Sequence, residues 1–374
     1  MLINIKLVLK HTMSDKILHD VLNGYIPDFK ECLKIYLHLP TSELMALAHE
    51  IRKRKNPDNT VSWIIDRNIN ISNICVSGCE FCSFFCTSAE KKNAFTTSPE
   101  EYKIKIDELY RLGGSQLLLQ GGLNPDFNLA YYEKLFKELK KMYPHLKLHA
   151  LGPPEIFFLS KLENMSITKV LERLLAAGLD SLPGAGAEIL CDRVRKIVSP
   201  NKCTSAQWLN VMQNAHKLNI LTTATMMFGH IETAAERLKH IFKIQALQNK
   251  KPAEAIGFIA FIPWTFQSAH TRLTEKYPQL KKTSIDTYIR TIAISRIILQ
   301  NIDNIQASWL TTGNDTAQLA LYAGANDLGS IMIEENVVAA SGVSRKLTAE
   351  QMKTLINEAG FEPRQRNQKY EIVD

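Results

Sequence analysis

The 374-residue sequence lacks the features that define several large classes of protein. It has no run of about 18 or more apolar residues, so we expect no membrane-spanning helix. No repeat, low-complexity segment or extreme composition occurs, which excludes coiled coils, collagen and disordered chains. Its seven cysteines are an odd number in an enzyme-sized chain, which argues against a secreted disulfide framework. We therefore expect a reduced, cytoplasmic protein.

The charge excludes little and points to no macromolecular partner. Lys and Arg number 45 against 38 Asp and Glu, which gives a net charge of +7. The only notable basic run, residues 52–55, is interpreted as a solvated helix end rather than a nucleic-acid contact. The apolar start, residues 1–9, has no basic region and no cleavage site. We interpret it as a strand, a frayed end or an upstream start rather than a signal peptide.

Eight short apolar segments predict β-strands, and a helical pattern follows each of them except the last. The predicted strands are residues 68–75, 115–120, 147–151, 179–182, 222–228, 256–262, 305–309 and 326–332. Strict alternation of strands and helices implies parallel strands with right-handed crossovers. Eight such units favour an α/β fold of the (β/α)8 TIM-barrel type, although a doubly wound open sheet fits the same pattern.

The barrel prediction divides the chain into three parts. Residues 1–58 are predicted as an N-terminal helical extension, 59–333 as the barrel and 334–374 as a small C-terminal helical appendage. In such a barrel the C-terminal ends of the strands share one rim, and active sites lie there. Polar residues that follow the predicted strands are therefore the candidates for function.

The strongest motif is a run of three cysteines that follows the first predicted barrel strand. Cys75, Cys79 and Cys82 are spaced C-x3-C-x2-C, so one loop can bring three thiolates to one metal centre. A zinc knuckle is the alternative, but zinc sites usually take four ligands in two separated pairs. Three cysteines leave one iron of a [4Fe–4S] cluster open to a small molecule. Because Cys86 as a fourth ligand would close that position, we interpret it as a bystander.

This spacing after a first strand resembles the radical S-adenosylmethionine superfamily, in which an aromatic residue such as Phe81 is common. The resemblance implies a barrel enzyme with two cofactors, a [4Fe–4S] cluster held by Cys75, Cys79 and Cys82, and S-adenosylmethionine. The methionyl group would chelate the open iron, and reduction would yield a 5′-deoxyadenosyl radical. It also implies a small-molecule substrate, an electron donor such as flavodoxin or ferredoxin, and a possible homodimer, with neither nucleic acid nor membrane as a partner.

Longer blocks of sequence resemble one branch of that superfamily. Residues 66–70, 118–125, 180–188, 222–230 and 261–267 look like the futalosine branch of menaquinone biosynthesis. The resemblance implies an oxidoreductase that closes a ring in dehypoxanthine futalosine, by hydrogen abstraction at ribose C4′ and addition to the benzoate ring. The 153–155 motif and Trp264 favour this cyclase. The alternative is a sister enzyme, an aminofutalosine synthase or a deazaflavin-precursor synthase.

The same resemblance implies which rim residues contact S-adenosylmethionine. Six residues are predicted: Gln120, Gly121, Gly122, Glu188, Arg193 and Ile262. The two glycines would let the backbone approach the methionyl amine. Glu188 would bind the ribose hydroxyls or the ammonium, and Arg193, or alternatively Arg195, would pair with the carboxylate. Ile262 lies where the family presents backbone to the adenine.

Acid–base chemistry is predicted at the same rim. The proposed catalytic residues are His230, Glu232 and His149. The reaction ends with loss of a proton, and histidine is the natural acceptor near neutral pH. Four further residues are expected at the rim as substrate contacts: Glu155, Thr265, Gln267 and Asp327. Arg272 and Lys6 are weaker candidates for a contact with the benzoate.

Overall fold

The computed structural model describes residues 15–87, 93–343 and 345–373. The apolar start at residues 1–9, interpreted above as a strand, a frayed end or an upstream start, lies outside these ranges together with Lys6. The described chain begins with three helices, α1 (Asp15–Leu22), α2 (Phe29–His38) and α3 (Thr41–Lys55). The apolar face of α3 is buried against a later barrel helix, Ile285–Ile298. The N-terminal helices therefore pack on the outside of the barrel.

A ring of parallel strand pairing forms the centre of the described chain. The strands are β1 (Thr60–Ile64), β2 (Asp66–Asn70), β3 (Gln116–Gln120), β4 (Lys147–Ala150), β5 (Ser181–Leu182), β6 (Leu221–Phe228), β7 (Phe258–Thr265), β8 (Asn304–Ile305), β9 (Asp327–Ser330) and β10 (Glu362–Gln365). Strands β2 to β8 pair in chain order, and β1 pairs with both β9 and β10. A single parallel bridge, Gln306 to Asp327, connects β8 to β9. Because β1 continues into β2 after one residue, the pairing returns to its first strand.

Helices surround this ring, as expected for alternating strands and helices. They are α4 (Pro99–Arg111), α5 (Leu129–Met142), α6 (Pro153–Leu162), α7 (Ile167–Ala177), α8 (Asp192–Val198), α9 (Ser205–Lys217), α10 (Ala234–Asn249), α11 (Arg272–Lys276), α12 (Ile285–Ile298), α13 (Trp309–Thr312), α14 (Asn314–Leu321) and α15 (Ala349–Glu358). Capping boxes begin four of these helices, at Ser98, Thr204, Thr233 and Thr348. No helix in the described ranges has the length and hydropathy to cross a membrane.

The predicted α/β class and TIM-type barrel are confirmed, although several strands differ from their predicted bounds. Strand β8 ends at Ile305, and Trp309 begins helix α13 instead of ending a strand. Strands β1 and β10 were not predicted. Asp327 is the first residue of β9, so it lies at the end of the barrel opposite the rim. Its prediction as a rim residue is wrong.

The end of the chain closes the N-terminal side of the barrel. Strand β10 pairs with β1, and Arg366 forms a buried ion pair of 2.6 Å with Asp327. The Arg366 guanidinium lies 3.6 Å from the centre of the Tyr370 ring. Earlier in the same segment, Glu335 and Val337 line a cavity at the opposite end. The predicted C-terminal appendage therefore contributes to both ends of the barrel.

Candidate active site

A cavity of about 370 Å³ lies at the C-terminal ends of the strands. Its walls come from β2, β3, β4, β6 and β7, from the cysteine loop (residues 71–82), and from the segment after β9. Seven predicted site residues and one unpredicted residue matter most: Cys75, Cys79, Cys82, Gly121, Gly122, His149, Glu188 and Lys202. The structure thus brings the cysteine motif and most predicted cofactor contacts together at one rim.

The three motif cysteines face this cavity from one loop. The backbone N–H of Leu123 donates to Sγ of Cys75 at 3.2 Å, and the Ser77 hydroxyl lies 2.9 Å from the same sulfur. Burial raises the pKa of the Cys79 thiol to about 11. A thiolate at that position therefore needs a strong positive partner, which cluster iron would supply.

Gly122 makes room for the first cysteine. Its φ is +71°, and a Cβ there would lie 2.9 Å from both Cβ and Sγ of Cys75. Any side chain would therefore collide with Cys75. Three thiols on one loop with N–H donors nearby fit a [4Fe–4S] cluster in which each thiolate binds a different iron.

Helix α11 fixes the outer side of the cysteine loop. Arg272 donates from Nη2 to the carbonyl oxygen of Gly78 at 2.9 Å, and to that of Cys79 at 3.3 Å. Lys276 pairs with Glu80 at 2.8 Å. Arg272 therefore supports the backbone between the cysteines. This contact replaces the predicted contact of Arg272 with a substrate carboxylate.

Cys86 lies beside the motif without lining the cavity. Its backbone N–H donates to the carbonyl of Asn73 at 2.9 Å, and its carbonyl accepts from the N–H of Cys75 at 3.1 Å. These bonds place Cys86 in a short parallel bridge with Ile74. The side chain is buried. This geometry is consistent with a bystander that holds the base of the loop.

The turn after β3 carries the predicted glycine pair, and a buried carboxyl supports it. Gln120, Gly121 and Gly122 all line the cavity. The carboxyl of Glu155 accepts from the N–H of Gly121 at 3.4 Å and from the N–H of Gly152. Burial raises the pKa of Glu155 to about 7. Glu155 is thus an acidic group beside the glycines that could meet a cationic amine.

Glu188 and Lys202 form a buried ion pair in the cavity wall. Nζ of Lys202 lies 2.7 Å from Oε1 of Glu188, and both side chains are largely buried. Burial opposes both charges, but Cys79 and Glu188 raise the pKa of Lys202, and Lys202 lowers that of Glu188. Glu188 occupies the left-handed region with φ +43°. Sequence reasoning missed Lys202, which lies in an irregular segment between α8 and α9 and belongs to no spaced motif.

Neither arginine proposed for the cofactor carboxylate reaches the cavity. Arg193 pairs with Glu236 through Nε at 2.7 Å and Nη2 at 2.6 Å, and half of its side chain is exposed. Arg195 donates to the carbonyls of Gly186 at 3.0 Å and Ala187 at 2.6 Å. The structure corrects the prediction for Arg193. Arg195 holds the loop that presents Glu188.

His230 and Glu232 are placed in the turn after β6 and not in the cavity wall. Both side chains are fully buried. Nε2 of His230 lies 3.1 Å from the carbonyl of Met227, and Nδ1 accepts from the N–H of Ile231 at 2.8 Å. This pattern fits a neutral imidazole, and burial lowers the pKa of His230. Glu232 accepts from the N–H of Gly229 at 2.8 Å. The geometry corrects the catalytic prediction for this pair, because each atom is already used in the turn.

His149 is the predicted acid–base residue that does line the cavity. It also borders a smaller cavity of about 140 Å³ deeper in the barrel, as does Ile262. Nδ1 of His149 lies 2.5 Å from the Ser181 hydroxyl. Burial lowers the pKa of His149 to about 3, so the ring is neutral at physiological pH.

At the end of β7, Gln267 donates to the carbonyl of Thr265 at 2.9 Å, so these two residues bond to each other.

A parallel barrel whose first strand leads into a three-thiol loop defines an enzyme with an iron–sulfur cluster at its rim. Two family models match the chain: the radical SAM superfamily over residues 69–244, and the CofH/MqnC C-terminal region over residues 255–374. The chain belongs to the radical SAM superfamily. The cofactors of that superfamily, a [4Fe–4S] cluster and S-adenosylmethionine, are therefore those of this enzyme.

Relatives with full-length similarity fall into two groups. The chain is 39% identical over 344 residues to a cyclic dehypoxanthine futalosine synthase of Streptomyces coelicolor, covering 91% of this chain and 84% of that protein. It is 38% identical to one of Halalkalibacterium halodurans, covering 96% and 95%. A 5-amino-6-(D-ribitylamino)uracil–L-tyrosine 4-hydroxyphenyl transferase of Methanococcoides burtonii is 36% identical, covering 92% and 95%. Methylornithine synthase shares the fold, with a TM-score of 0.70, 17% identity and coverage of 92% and 96%.

Proposed function

We propose that the protein closes a ring in dehypoxanthine futalosine, joining ribose C4′ to the benzoate ring in menaquinone biosynthesis. The observation that carries the proposal is the identity of 38–39% to two cyclic dehypoxanthine futalosine synthases over nearly the whole chain. The matched segment includes the cysteine loop and the cavity walls. Within those walls, Trp264, Leu310 and Val337 provide apolar surface that suits a flat aromatic ring.

The chain's own residues would hold the cofactors at one side of the cavity. Cys75, Cys79 and Cys82 would ligate the cluster, and the backbone of Gly121 and Gly122 would approach the methionyl group. When bound, the two cofactors supply a 5′-deoxyadenosyl radical. The enclosing barrel excludes water and fixes the orientation of the substrate against that group.

The carboxyl and amine of the methionyl group need charged partners, and the cavity offers them. Lys202 is the cation that lines it in the described ranges, and Glu155 is the acidic group beside the glycine turn. Of the three predicted acid–base residues, only His149 borders the substrate space. We retain His149 as the proposed proton acceptor because it borders this space, and since burial lowers its pKa, the ring would pass the proton on and not stay charged.

The second candidate is the 4-hydroxyphenyl transferase reaction, because relatives of that name are 34–38% identical over similar lengths. One experiment separates the two. The full chain is reconstituted anaerobically with iron and sulfide, then given reductant, S-adenosylmethionine and either dehypoxanthine futalosine or 5-amino-6-(D-ribitylamino)uracil with L-tyrosine. We expect 5′-deoxyadenosine and a cyclic product with two hydrogen atoms fewer than its substrate, and only with dehypoxanthine futalosine. Turnover of the second pair alone would refute the cyclase proposal.

A Cys79→Ala variant is the control for the cluster. It should give no 5′-deoxyadenosine with any substrate. Product formation at the wild-type rate in this variant would show that the three-cysteine loop is not the reactive centre. A Cys86→Ala variant is the matched comparison, and it should retain its iron, because Cys86 lies outside the cavity wall.

A further inference from the structure

The ion pair between Lys202 and Glu188 lies in the cavity wall, although removing two charges from water has an unfavourable free energy. Its side chains are 16% and 5% exposed, and its N–O distance is 2.7 Å. Removing two charges from water commonly costs more than their attraction returns, so such a pair is weak evidence for stability. The chain adds a left-handed backbone at Glu188 to place it. A pair with this cost points to a task at the site itself.

The loops around the pair hold its charges in fixed positions. Arg195 donates to two carbonyls of the segment that leads into Glu188, and the Glu188 carbonyl accepts from the N–H of Met227 at 3.0 Å. Nζ of Lys202 lies 5.3 Å from the centre of the ring of Phe81, a residue of the cysteine loop. The ammonium therefore lies beside the cysteine loop.

Lys202 lines the same cavity as the three motif cysteines, and its ammonium faces the ring of Phe81, which lies between Cys79 and Cys82 in the sequence. Cys79 and Cys75 also help to raise the pKa of Lys202. Lys202 is thus a cation next to the cluster ligands, and Glu188 is the anion that partly offsets it. In a poorly hydrated wall these charges are screened little by salt.

We infer that Lys202 and Glu188 together set the reduction potential of the cluster held by Cys75, Cys79 and Cys82. When bound by these cysteines, a [4Fe–4S]²⁺ cluster would take one electron from an external low-potential donor, and that electron would add one negative charge to the site. A nearby cation stabilises that added charge, and a nearby anion opposes it, since cluster potentials follow net charge and surroundings. The inference rests on the cluster and not on the proposed substrate, so it can be tested without substrate.

The test is a redox titration of the reconstituted full-length protein, followed by the electron paramagnetic resonance signal of the reduced cluster. No S-adenosylmethionine or substrate is added. We expect Lys202→Met to move the midpoint potential in the negative direction and Glu188→Gln to move it in the positive direction. Lys202→Arg keeps the charge and should stay near the wild-type potential.

A second lysine–carboxylate pair provides the matched control. Nζ of Lys140 lies 2.6 Å from Asp180, in a similarly sheltered position at the opposite end of the strands. Lys140→Met should leave the potential unchanged, although it removes an equivalent ion pair. The shifts at Lys202 and Glu188 should also persist at high salt, because the pair is buried.

Opposite signs for the two substitutions separate an electrostatic role from a structural one. Equal potentials in wild type, Lys202→Met and Glu188→Gln would overturn the inference, and so would shifts of the same sign, which loosened packing and water entry would produce. If Lys202→Met fails to retain four irons, Glu188→Gln decides alone. A potential at or below the wild-type value in that variant would refute the inference. Failure of the cyclase assay would leave these potentials unaffected.

Discussion

Gly122→Ala is the most direct test of how the barrel makes room for its cluster. Two separate penalties follow from the structure, because φ at this glycine is +71° and the new Cβ would lie 2.9 Å from both Cβ and Sγ of Cys75. A left-handed backbone costs a non-glycine residue about 1–2 kcal/mol. Forcing a methyl group into a filled space costs about 1–3 kcal/mol more. We therefore expect a loss of about 2–5 kcal/mol.

The size of the protein sets the expected change in melting temperature. With about 2.1 cal/mol/K of unfolding entropy per residue, a loss of this size lowers Tm by about 3–6 °C. Because the collision displaces Cys75, iron bound after reconstitution should fall below four per chain. Both quantities can be measured on one preparation, by thermal unfolding of the apoprotein and by iron analysis of the reconstituted protein.

Gly113→Ala is the matched control for this prediction. Gly113 has a φ of +85°, but the nearest atom to its new Cβ is Cδ1 of Ile65 at 4.0 Å. The control therefore carries the backbone penalty of about 1–2 kcal/mol without the collision. It should bind iron like wild type. If Gly122→Ala matches Gly113→Ala in both melting temperature and iron content, the argument from contact with Cys75 is wrong.

Two further predictions concern buried charges. Glu155 has a native pKa of about 7 against 4.5 for an ordinary carboxyl, so the native state favours its protonated form. The contribution of this carboxyl to stability is complete below about pH 4.5 and is lost as the pH rises through about 7. Because glutamine does not titrate, the free energy of unfolding of Glu155→Gln should rise by about 2–3 kcal/mol relative to that of the wild type between pH 5 and pH 8. Parallel stability curves for the two apoproteins, measured by thermal unfolding at each pH, would contradict this. Arg366→Met leaves Asp327 buried without its cation, so the free energy of unfolding, measured by denaturant titration, should fall by about 3–5 kcal/mol. Arg364→Met, at an exposed pair with Glu362, should cost no more than about 1 kcal/mol, and equal losses in the two variants would contradict the assignment.

Strands with long apolar runs could be predicted from the sequence. Short or polar strands, which are defined by their pairing with distant strands, could not. Strand β6 is buried along most of its length, and its residues 222–228 were predicted. Strand β8 has two residues, because the chain turns into α13 soon after it. The residues of β10 are mostly polar and partly exposed, so no hydrophobic alternation marks them. Their partner β1 alternates between partly exposed and buried residues at its start, which is the pattern of a half-buried strand.

The candidate site was predictable where chemistry sits in a local motif. The spacing of Cys75, Cys79 and Cys82 was sufficient, because one loop carries all three ligands. The positively charged partner could not be predicted, since the direction of a long side chain depends on how its helix or loop packs against the barrel. Arg193 lies on the outer face of α8 with Glu236, whereas Lys202 points inward from a loop. His230 looked catalytic because its position follows a strand, yet its ring completes a turn.

The pairing of the first barrel strand has a consequence for how the chain is made. Strand β1 pairs with β9 and β10, so Thr60 can form its strand pair only after Glu362, about three hundred positions later, has been synthesised. A nascent chain has therefore synthesised the cysteine loop long before the floor of the barrel exists. A chain that ends before β10 should keep β1 open to proteases, and limited proteolysis of a chain shortened at residue 361 would show whether it does. On this view, the barrel closes at its N-terminal side only after residues 362–365 have been made, because β10 is the second neighbour of β1.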